Sequence, residues 1–215
     1  MAPHRCLSVY KTLYKHYGPQ DWWPGDTPFE IMVGAVLTQN TAWTNVKKAI
    51  NNLKEANALD PESIAGAHHK RLASWLKPSG YFNIKAKRLR AFCRWYLDQG
   101  GIKALAKLPT KELRDKLLAV HGIGPESADD ILLYAFDRPV FVIDAYTRRI
   151  FGRLGLVAGD EHYEALRQFF EQGLKTDVPM YNEFHALIVV HGKDICKTRP
   201  LCEQCCLSKH CSYEE

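Results

Sequence analysis

Apolar residues recur at the three- and four-residue spacing of amphipathic helices along most of the chain. The positions that show this spacing are Phe29, Met32, Val33, Val36 and Leu37; Ala49, Ile50 and Leu53; Phe92, Tyr96 and Leu97; Leu113, Leu117 and Leu118; Leu166, Phe169 and Phe170; and Phe184, Leu187 and Ile188. The one β-rich run, Val140–Ile143, is short and leads straight into another helical pattern. The sequence has no repeat and no low-complexity segment. The pattern therefore predicts an all-α fold.

One pair of predicted helices is joined by a very short turn. The residues from Leu117 to Ala128 form a helix, the turn Gly122-Ile123-Gly124, and a second helix that begins at Pro125. Two glycines permit positive φ and a close backbone approach, and the amides at a helix N-terminus attract phosphate. Such a hairpin would bind DNA without reading its sequence. The alternative is an ordinary helix–helix turn in which glycine caps the first helix.

Composition adds little to this prediction. The chain has 215 residues, 46% hydrophobic and 25% charged, which allows one large domain or two small ones. A net charge of +5 favours a polyanionic partner only weakly. The N-terminus has no apolar run typical of a signal peptide, and no later stretch has the length of a membrane span. We therefore expect an intracellular protein with reduced cysteines and no membrane partner.

Four cysteines near the C-terminus form the most specific motif, Cys196-x5-Cys202-x2-Cys205-x5-Cys211. Four thiolates at this spacing suit a [4Fe–4S] cluster or a four-cysteine zinc site, and the chemistry alone leaves these two open. The odd total of seven cysteines disfavours a disulfide framework. Cys206 could substitute for Cys205, although that would change both neighbouring spacings.

A lone carboxylate, Asp144, stands between the Val140–Ile143 run and a basic helix. Its ordinary role would be to cap that helix. A capping position also holds the carboxylate rigidly, and a fixed anion beside a sugar could stabilise an oxocarbenium-like transition state or orient water. The two interpretations are compatible.

Aromatic side chains flank the first apolar helix. Trp22-Trp23-Pro24 precedes it and Trp43 follows it. Tryptophans usually pack in the core, but Trp23 and Trp43 could instead form a slot for a flipped base. The turn at 78–83 leads into a basic stretch that would form either a solvated face or a contact with DNA.

Together these stretches resemble the endonuclease III, or helix-hairpin-helix and Gly/Pro-Asp, superfamily of DNA glycosylases, over roughly residues 20 to 211. The resemblance implies a two-lobed all-α fold, with a helical barrel over 27–136 and a second lobe formed by 1–26 and 137–215. It also implies that Asp144 is catalytic and that the cysteine motif at 196–211 binds a [4Fe–4S] cluster rather than zinc. The first cysteine loop has five intervening residues where the common pattern has six.

The sequence departs from the superfamily at one chemically important position. In bifunctional members the hairpin continues with a lysine that forms a Schiff base with the sugar, and here that position holds Glu126. A carboxylate cannot form an imine, so the resemblance implies a glycosylase without lyase activity at this residue.

Within the superfamily the chain is similar to the bacterial 3-methyladenine glycosylases related to endonuclease III. The similar stretches include Trp22-Trp23-Pro24 and residues 34–41, 78–80 and 126–129. This similarity implies that Trp23 and Trp43 stack on the base. It further implies DNA contacts, in which Asn40 or the adjacent Gln39 fills the gap left by the flipped nucleotide and Tyr81 acts as a wedge. The remaining DNA contacts are assigned to the hairpin residues Gly122, Gly124 and Ser127.

The sequence therefore predicts a monofunctional DNA glycosylase of base excision repair that hydrolyses the N-glycosidic bond of a flipped alkylated purine such as 3-methyladenine. Its partner would be double-stranded DNA with a damaged base, and we expect a monomer in the prokaryotic cytoplasm, at the nucleoid. One alternative is a glycosylase for oxidised pyrimidines or mismatched bases, with or without lyase activity. Another is a non-catalytic DNA-binding or redox module, against which the presence of Asp144 argues.

Overall fold

The computed structural model describes residues 4–22 and 25–213. It is 67% helical, and no strand occurs in the described part of the chain. The predicted all-α fold is thereby confirmed. In neither described range is there a helix with the length and apolar character needed to cross a membrane.

The α-helices are numbered in chain order. They are α1 (Arg5–Tyr17), α2 (Pro28–Leu37), α3 (Trp43–Glu55), α4 (Pro61–Gly66), α5 (His69–Leu76), α6 (Phe82–Asp98), α7 (Gly101–Leu105), α8 (Thr110–Leu118), α9 (Pro125–Asp130), α10 (Ala145–Arg153), α11 (Tyr163–Gly173) and α12 (Val178–Asp194). A π-helical turn, Ile131–Ala135, extends α9. Short 3₁₀ turns cover Lys77–Ser79, Cys202–Gln204 and Ser208–His210.

The chain divides into two compact units. One consists of Met1–Trp22 and Pro139–Glu215, and the other of Trp23–Arg138. The first unit contains α1 and α10 to α12 with the cysteine-rich segment, and the second contains α2 to α9.

The second unit is built around α2. Thr27 caps this helix by accepting a hydrogen bond from the Glu30 N–H at 3.1 Å, and Pro28 occupies the first helical position. Every residue from Glu30 to Leu37 is buried. A helix that is apolar on all sides is stable only when neighbours surround it, so α2 is the central helix of this unit.

Aromatic rings form the core of the first unit. Phe141 and Phe170 stack in parallel with ring centroids 4.5 Å apart, and Phe151 meets Phe170 edge to face at the same distance. Phe184 of α12 packs against all three rings. All four side chains are completely buried. Aromatic pairs of this geometry stabilise a core by about 0.5–1.5 kcal/mol beyond their area burial.

The β-rich run Val140–Ile143 does not pair with any strand in the described residues. Side chains of α11 accept the hydrogen bonds that a partner strand would otherwise accept. The Phe141 N–H donates to Oε1 of Glu171 at 3.1 Å, and the Ile143 N–H donates to the Tyr163 hydroxyl at 3.3 Å. The run therefore stays extended and buried, and it ends at Asp144.

Candidate functional site

Asp144 is the N-cap of α10. Its Oδ1 accepts hydrogen bonds from the backbone N–H and the hydroxyl of Thr147, both at 2.7 Å. Its other oxygen, Oδ2, lies 3.6 Å from Nε2 of His185. The Asp144 side chain is 12% exposed, so little of it is open to solvent. The capping role considered from the sequence is present, and it leaves Oδ2 free of the cap.

Asp144 stays ionised despite its burial. Burial by itself would raise the pKa of this carboxyl group. The neighbouring imidazole of His185 and the two donors of Thr147 outweigh that effect, and the pKa of Asp144 falls below its usual value. The site therefore holds a carboxylate anion that is fixed by contacts on both oxygens.

A small residue on α12 allows this arrangement. A Cβ atom placed on Gly192 would lie 2.5 Å from the ring of Tyr146 in α10, so only glycine permits the two helices to approach this closely. Arg149 of α10 then donates to the carbonyl oxygens of Gly192 and Cys196, each at 2.8 Å. The approach of α12 to α10 brings His185 to Asp144.

The hairpin between α8 and α9 has the predicted two-glycine turn. Gly122 has φ 90°, and a Cβ atom there would overlap the side chain of Arg88, so glycine is required on both counts. Across the two helices Arg114 holds Asp129 in a bidentate pair with distances of 2.6 and 3.0 Å. Asp129 is completely buried. The pair between Arg114 and Asp129 thus fixes the two helices on either side of the turn. The first backbone amides of α9 follow directly after the turn.

Gln39 is attached to this hairpin. Its Nε2 donates to the Gly122 carbonyl at 2.9 Å and to the Ser127 hydroxyl at 3.0 Å, and its Oε1 accepts from Arg88. The Ser127 side chain is also buried, with 5% of the residue exposed. Both polar groups of Gln39 are therefore engaged within the protein, and a contact of Ser127 with DNA could only come from its backbone.

Asn40 and Tyr81 have the opposite character. Asn40 is exposed and has φ 54°, and Tyr81 is 69% exposed with φ 45°. Left-handed backbone is uncommon for residues other than glycine and is unusual for a bulky tyrosine. The structure thus presents two exposed side chains at strained positions of one unit, Asn40 in the turn that precedes α3 and Tyr81 directly before α6.

Of the two tryptophans predicted to stack on a base, Trp43 can be placed. It starts α3, is half-buried, and its ring would lie 3.0 Å from a Cβ atom added to Gly34 of α2. The ring therefore rests on the glycine of the central helix and keeps part of its surface open. Trp23 lies outside the described residues.

The cysteine motif lies beside α10 and α12. Cys196 is 9% exposed, while Cys202, Cys205 and Cys211 are half-buried. Burial raises the pKa of the Cys205 thiol, and the neighbouring Cys196 and Cys211 raise it further. Cys196, Cys205 and Cys211 are thus close enough to interact electrostatically.

Two side-chain nitrogen atoms lie within hydrogen-bonding distance of cysteine sulfurs. Arg153 Nη1 lies 3.3 Å from Sγ of Cys196, and His191 Nε2 lies 3.5 Å from Sγ of Cys205. The other ring nitrogen of His191 is bonded to the Tyr17 hydroxyl at 2.8 Å. A guanidinium group that donates to sulfur, as Arg153 does to Cys196, stabilises the thiolate, which is the form that binds metal. In the described part of the chain no three histidine, cysteine or acidic side chains converge on a site for one metal ion.

Comparison with known families gives this geometry a context. Residues 33–176 match the family described as HhH-GPD superfamily base excision DNA repair protein. This match covers the hairpin, Asp144, most of the second unit and residues 139–176 of the first. The chain belongs to the HhH-GPD superfamily.

Relatives and solved structures agree with this membership. A protein of Methanocaldococcus jannaschii, provisionally described as a DNA repair glycosylase, is 43% identical over 206 residues, which is 94% of each chain. Endonuclease III of Thermotoga maritima is 30% identical over 190 residues, covering 86% of this chain and 83% of the relative. The 3-methyladenine DNA glycosylase of H. pylori, solved with bound 1,N6-ethenoadenine, is 32% identical with a TM-score of 0.75 and covers 90% of this chain and 98% of that one.

The fold of this HhH-GPD protein is that of endonuclease III. A non-covalent complex of endonuclease III with DNA superimposes with a TM-score of 0.84, covering 99% of this chain and 96% of that one, at 20% identity. The predicted endonuclease III-like fold is confirmed, and the chain is a DNA glycosylase of base excision repair.

The role of His185 was not anticipated, and Lys85 belongs to the basic stretch that was predicted to form a solvated face or a contact with DNA. That prediction is wrong for Lys85, because only 1% of the residue is exposed. His185 lies in the apolar run of α12, and Lys85 takes an apolar-face position of α6, one turn before Leu89. A polar residue at an apolar position is the signal that could have revealed both. The arginines Arg149 and Arg153 bond to the cysteine-rich segment, and no sequence pattern distinguishes them from surface cations.

Proposed function

We propose that this HhH-GPD protein is a monofunctional glycosylase that releases alkylated purines, such as 3-methyladenine, from double-stranded DNA. The observation that carries the proposal is the buried carboxylate of Asp144, kept ionised beside His185. A fixed anion stabilises positive charge that develops on the sugar as the glycosidic bond breaks, and it orients the attacking water.

The substrate class is supported by chemistry and by similarity. An alkylated purine carries positive charge, so it is a good leaving group and needs little help from a general acid. The same charge is attracted to an aromatic face by about 0.5–2 kcal/mol, and Trp43 offers a half-buried ring, with Trp23 as its proposed partner. The H. pylori relative, 32% identical, is itself a 3-methyladenine glycosylase.

Hydrolysis without strand cleavage follows from Glu126. This residue is exposed at the second position of α9, where a lysine would be needed for an imine with the sugar. A carboxylate has no amine to attack with. We therefore assign the reaction to water, and the product to an abasic site.

We assign the DNA contacts to the exposed residues Asn40 and Tyr81 and to the hairpin between α8 and α9. The amides at the start of α9, behind Gly122 and Gly124, suit a backbone phosphate. Asn40 is the better candidate to fill the gap of the flipped nucleotide, because the side chain of Gln39 is engaged with the hairpin. Tyr81 remains the proposed wedge, and its 69% exposure supports that role.

A [4Fe–4S] cluster suits the cysteine segment. Cys196, Cys202, Cys205 and Cys211 would hold it, and Arg153 already donates to Sγ of Cys196. When bound, the cluster would supply cross-linking of the segment and a redox centre, while base release relies on Asp144.

A second candidate function is excision of oxidised pyrimidines or mismatched bases. The similarity to endonuclease III of Thermotoga maritima, 30% identical, favours it. Incubation with duplexes that each carry one defined lesion separates the two, if base release and strand cleavage are scored separately. Release of 3-methyladenine with intact strands supports the first proposal. Preferential release of a neutral oxidised pyrimidine would replace it with the second.

A further inference from the structure

A buried lysine joins the two loops that carry Asn40 and Tyr81. The side chain of Lys85 enters the interior from α6, and only 1% of the residue is exposed. Its Nζ donates to the carbonyl oxygen of Leu37 at 2.9 Å and to that of Ser79 at 2.6 Å. Both bonds are buried and span 48 and 6 residues of sequence.

The two acceptors stand just before the two exposed residues. Leu37 is the last residue of α2, and Asn40 follows three positions later with φ 54°. Ser79 ends the 3₁₀ turn, and Tyr81 follows two positions later with φ 45°. One ammonium group thus sets the positions of the backbone from which both left-handed residues project.

Holding the ammonium here costs free energy. Burial, together with the charge of Arg88, lowers the pKa of Lys85 to about 8, and both acceptors are neutral carbonyl groups. A methionine of similar length would fill the same space without this penalty. Strained backbone and buried charge commonly occur together at functional sites.

We propose that Lys85 is a positioning residue for nucleotide flipping: its ammonium group holds Asn40 and Tyr81 at the separation needed to enter DNA together. This rests on the proposed role of those two residues in DNA binding. Lys85 itself touches no substrate. Lys85 affects the rate by fixing the backbone that carries Asn40 and Tyr81. A displacement of about 1 Å in such a positioning element can lower a rate by on the order of 10²-fold.

The alternative is a purely structural cross-link between α2 and the 3₁₀ turn. A matched control separates the two. Arg90 lies on the same helix and also donates to a backbone carbonyl, that of Ala67 at the end of α4, which precedes neither exposed residue. Lys85→Met therefore removes two cation-to-carbonyl bonds and Arg90→Met removes one, all within the same unit.

The experiment combines these variants with 2-aminopurine placed beside 3-methyladenine in a duplex. We expect Lys85→Met to lower the flipping signal and single-turnover excision by about 10- to 100-fold, with binding of undamaged DNA changed less than threefold. Arg90→Met should lower the melting temperature to a similar extent and retain the flipping signal. Equal loss of flipping in both variants would overturn the proposal.

A double-mutant cycle tests the route of action. In the background Asn40→Ala with Tyr81→Ala, the further change Lys85→Met should cost less than threefold in excision, because its targets are gone. A full additional loss would show that Lys85 acts elsewhere, and the proposal fails while the glycosylase function stands. Wild-type flipping in the Asn40→Ala, Tyr81→Ala protein would refute the DNA role of both residues and the proposal with it.

Discussion

Nε2 of His185 lies 3.6 Å from Oδ2 of Asp144, on the side of the carboxylate away from the helix cap. The two residues are separated by 41 positions in the chain and meet because α12 packs against α10 at Gly192. Thr147 thus contacts one carboxylate oxygen of Asp144 and His185 contacts the other. The first two predictions below test the charge of Asp144 and the effect of His185 on it.

Replacing Asp144 with asparagine should abolish most base release. The amide retains the size and can still cap α10, but it carries no charge to stabilise the sugar in the transition state. We expect a loss on the order of 10²–10³ in single-turnover excision of 3-methyladenine, with lesion binding and melting temperature nearly unchanged. Excision near the wild-type rate would show that Asp144 is only a helix cap.

Replacing His185 with leucine should move the acid limb of the pH–rate profile towards neutral pH. Burial raises the pKa of Asp144 and His185 opposes it, so removing the imidazole should raise this pKa relative to the wild type, and the carboxylate is then lost at higher pH. Because the wild-type pKa is lowered, the stabilisation from this ionised group is present above about pH 4 and is lost as the pH falls through the folded value. His162→Leu, at an exposed histidine of the same unit, serves as the control. Superimposable profiles for both variants would exclude this role of His185.

Borohydride should trap no covalent complex between the wild-type protein and DNA. Abasic sites should accumulate, and strands should break only after alkali or heat, because Glu126 offers no amine. Glu126→Lys places an amine at an exposed position of α9, and trapping should then appear on a denaturing gel. Efficient trapping by the wild type would identify another lysine as nucleophile, and Lys193 would be the first to replace.

The purified protein should be yellow-brown with broad absorbance near 400 nm (roughly), as expected of a cysteine-ligated [4Fe–4S] cluster. Cys202→Ala should bleach the protein and lower its folding stability and DNA affinity. Cys206→Ser should retain the colour, because Cys206 is the adjacent thiol outside the proposed ligand set. A colourless protein with stoichiometric zinc, or bleaching by Cys206→Ser, would require a different assignment.

Trp43→Ala should weaken recognition of cationic bases more than of neutral ones. The cation–π attraction of about 0.5–2 kcal/mol exists only for the charged base, while loss of stacking area affects both. Gly34→Ala offers a milder test, since its Cβ atom would press on the Trp43 ring from 3.0 Å. Single-turnover excision of 3-methyladenine and of a neutral lesion is the measurement, and equal losses for the two bases would contradict a cationic pocket.

Local features of the sequence were sufficient to predict the helices and the hairpin. Apolar spacing depends on the helical period, glycine at 122 suits a positive φ, and proline at 125 suits the first position of a helix, so these elements are visible without tertiary structure. The same holds for the superfamily and for the cysteine spacing. Val140–Ile143 had the composition of a strand, but its backbone N–H groups donate to side chains of α11. A local sequence pattern cannot show these contacts.

Tertiary packing alone decided which polar side chains meet. The sequence left Gln39 as an alternative to Asn40, and only the fold shows that Gln39 is engaged with Gly122 and Ser127. The contact of His185 with Asp144 depends on the approach of two helices distant in the chain. Such contacts have no period and no fixed spacing in the sequence. They arise because buried donors and charges are stable only when they are paired, and the packing of the helices determines which polar groups lie close enough to pair.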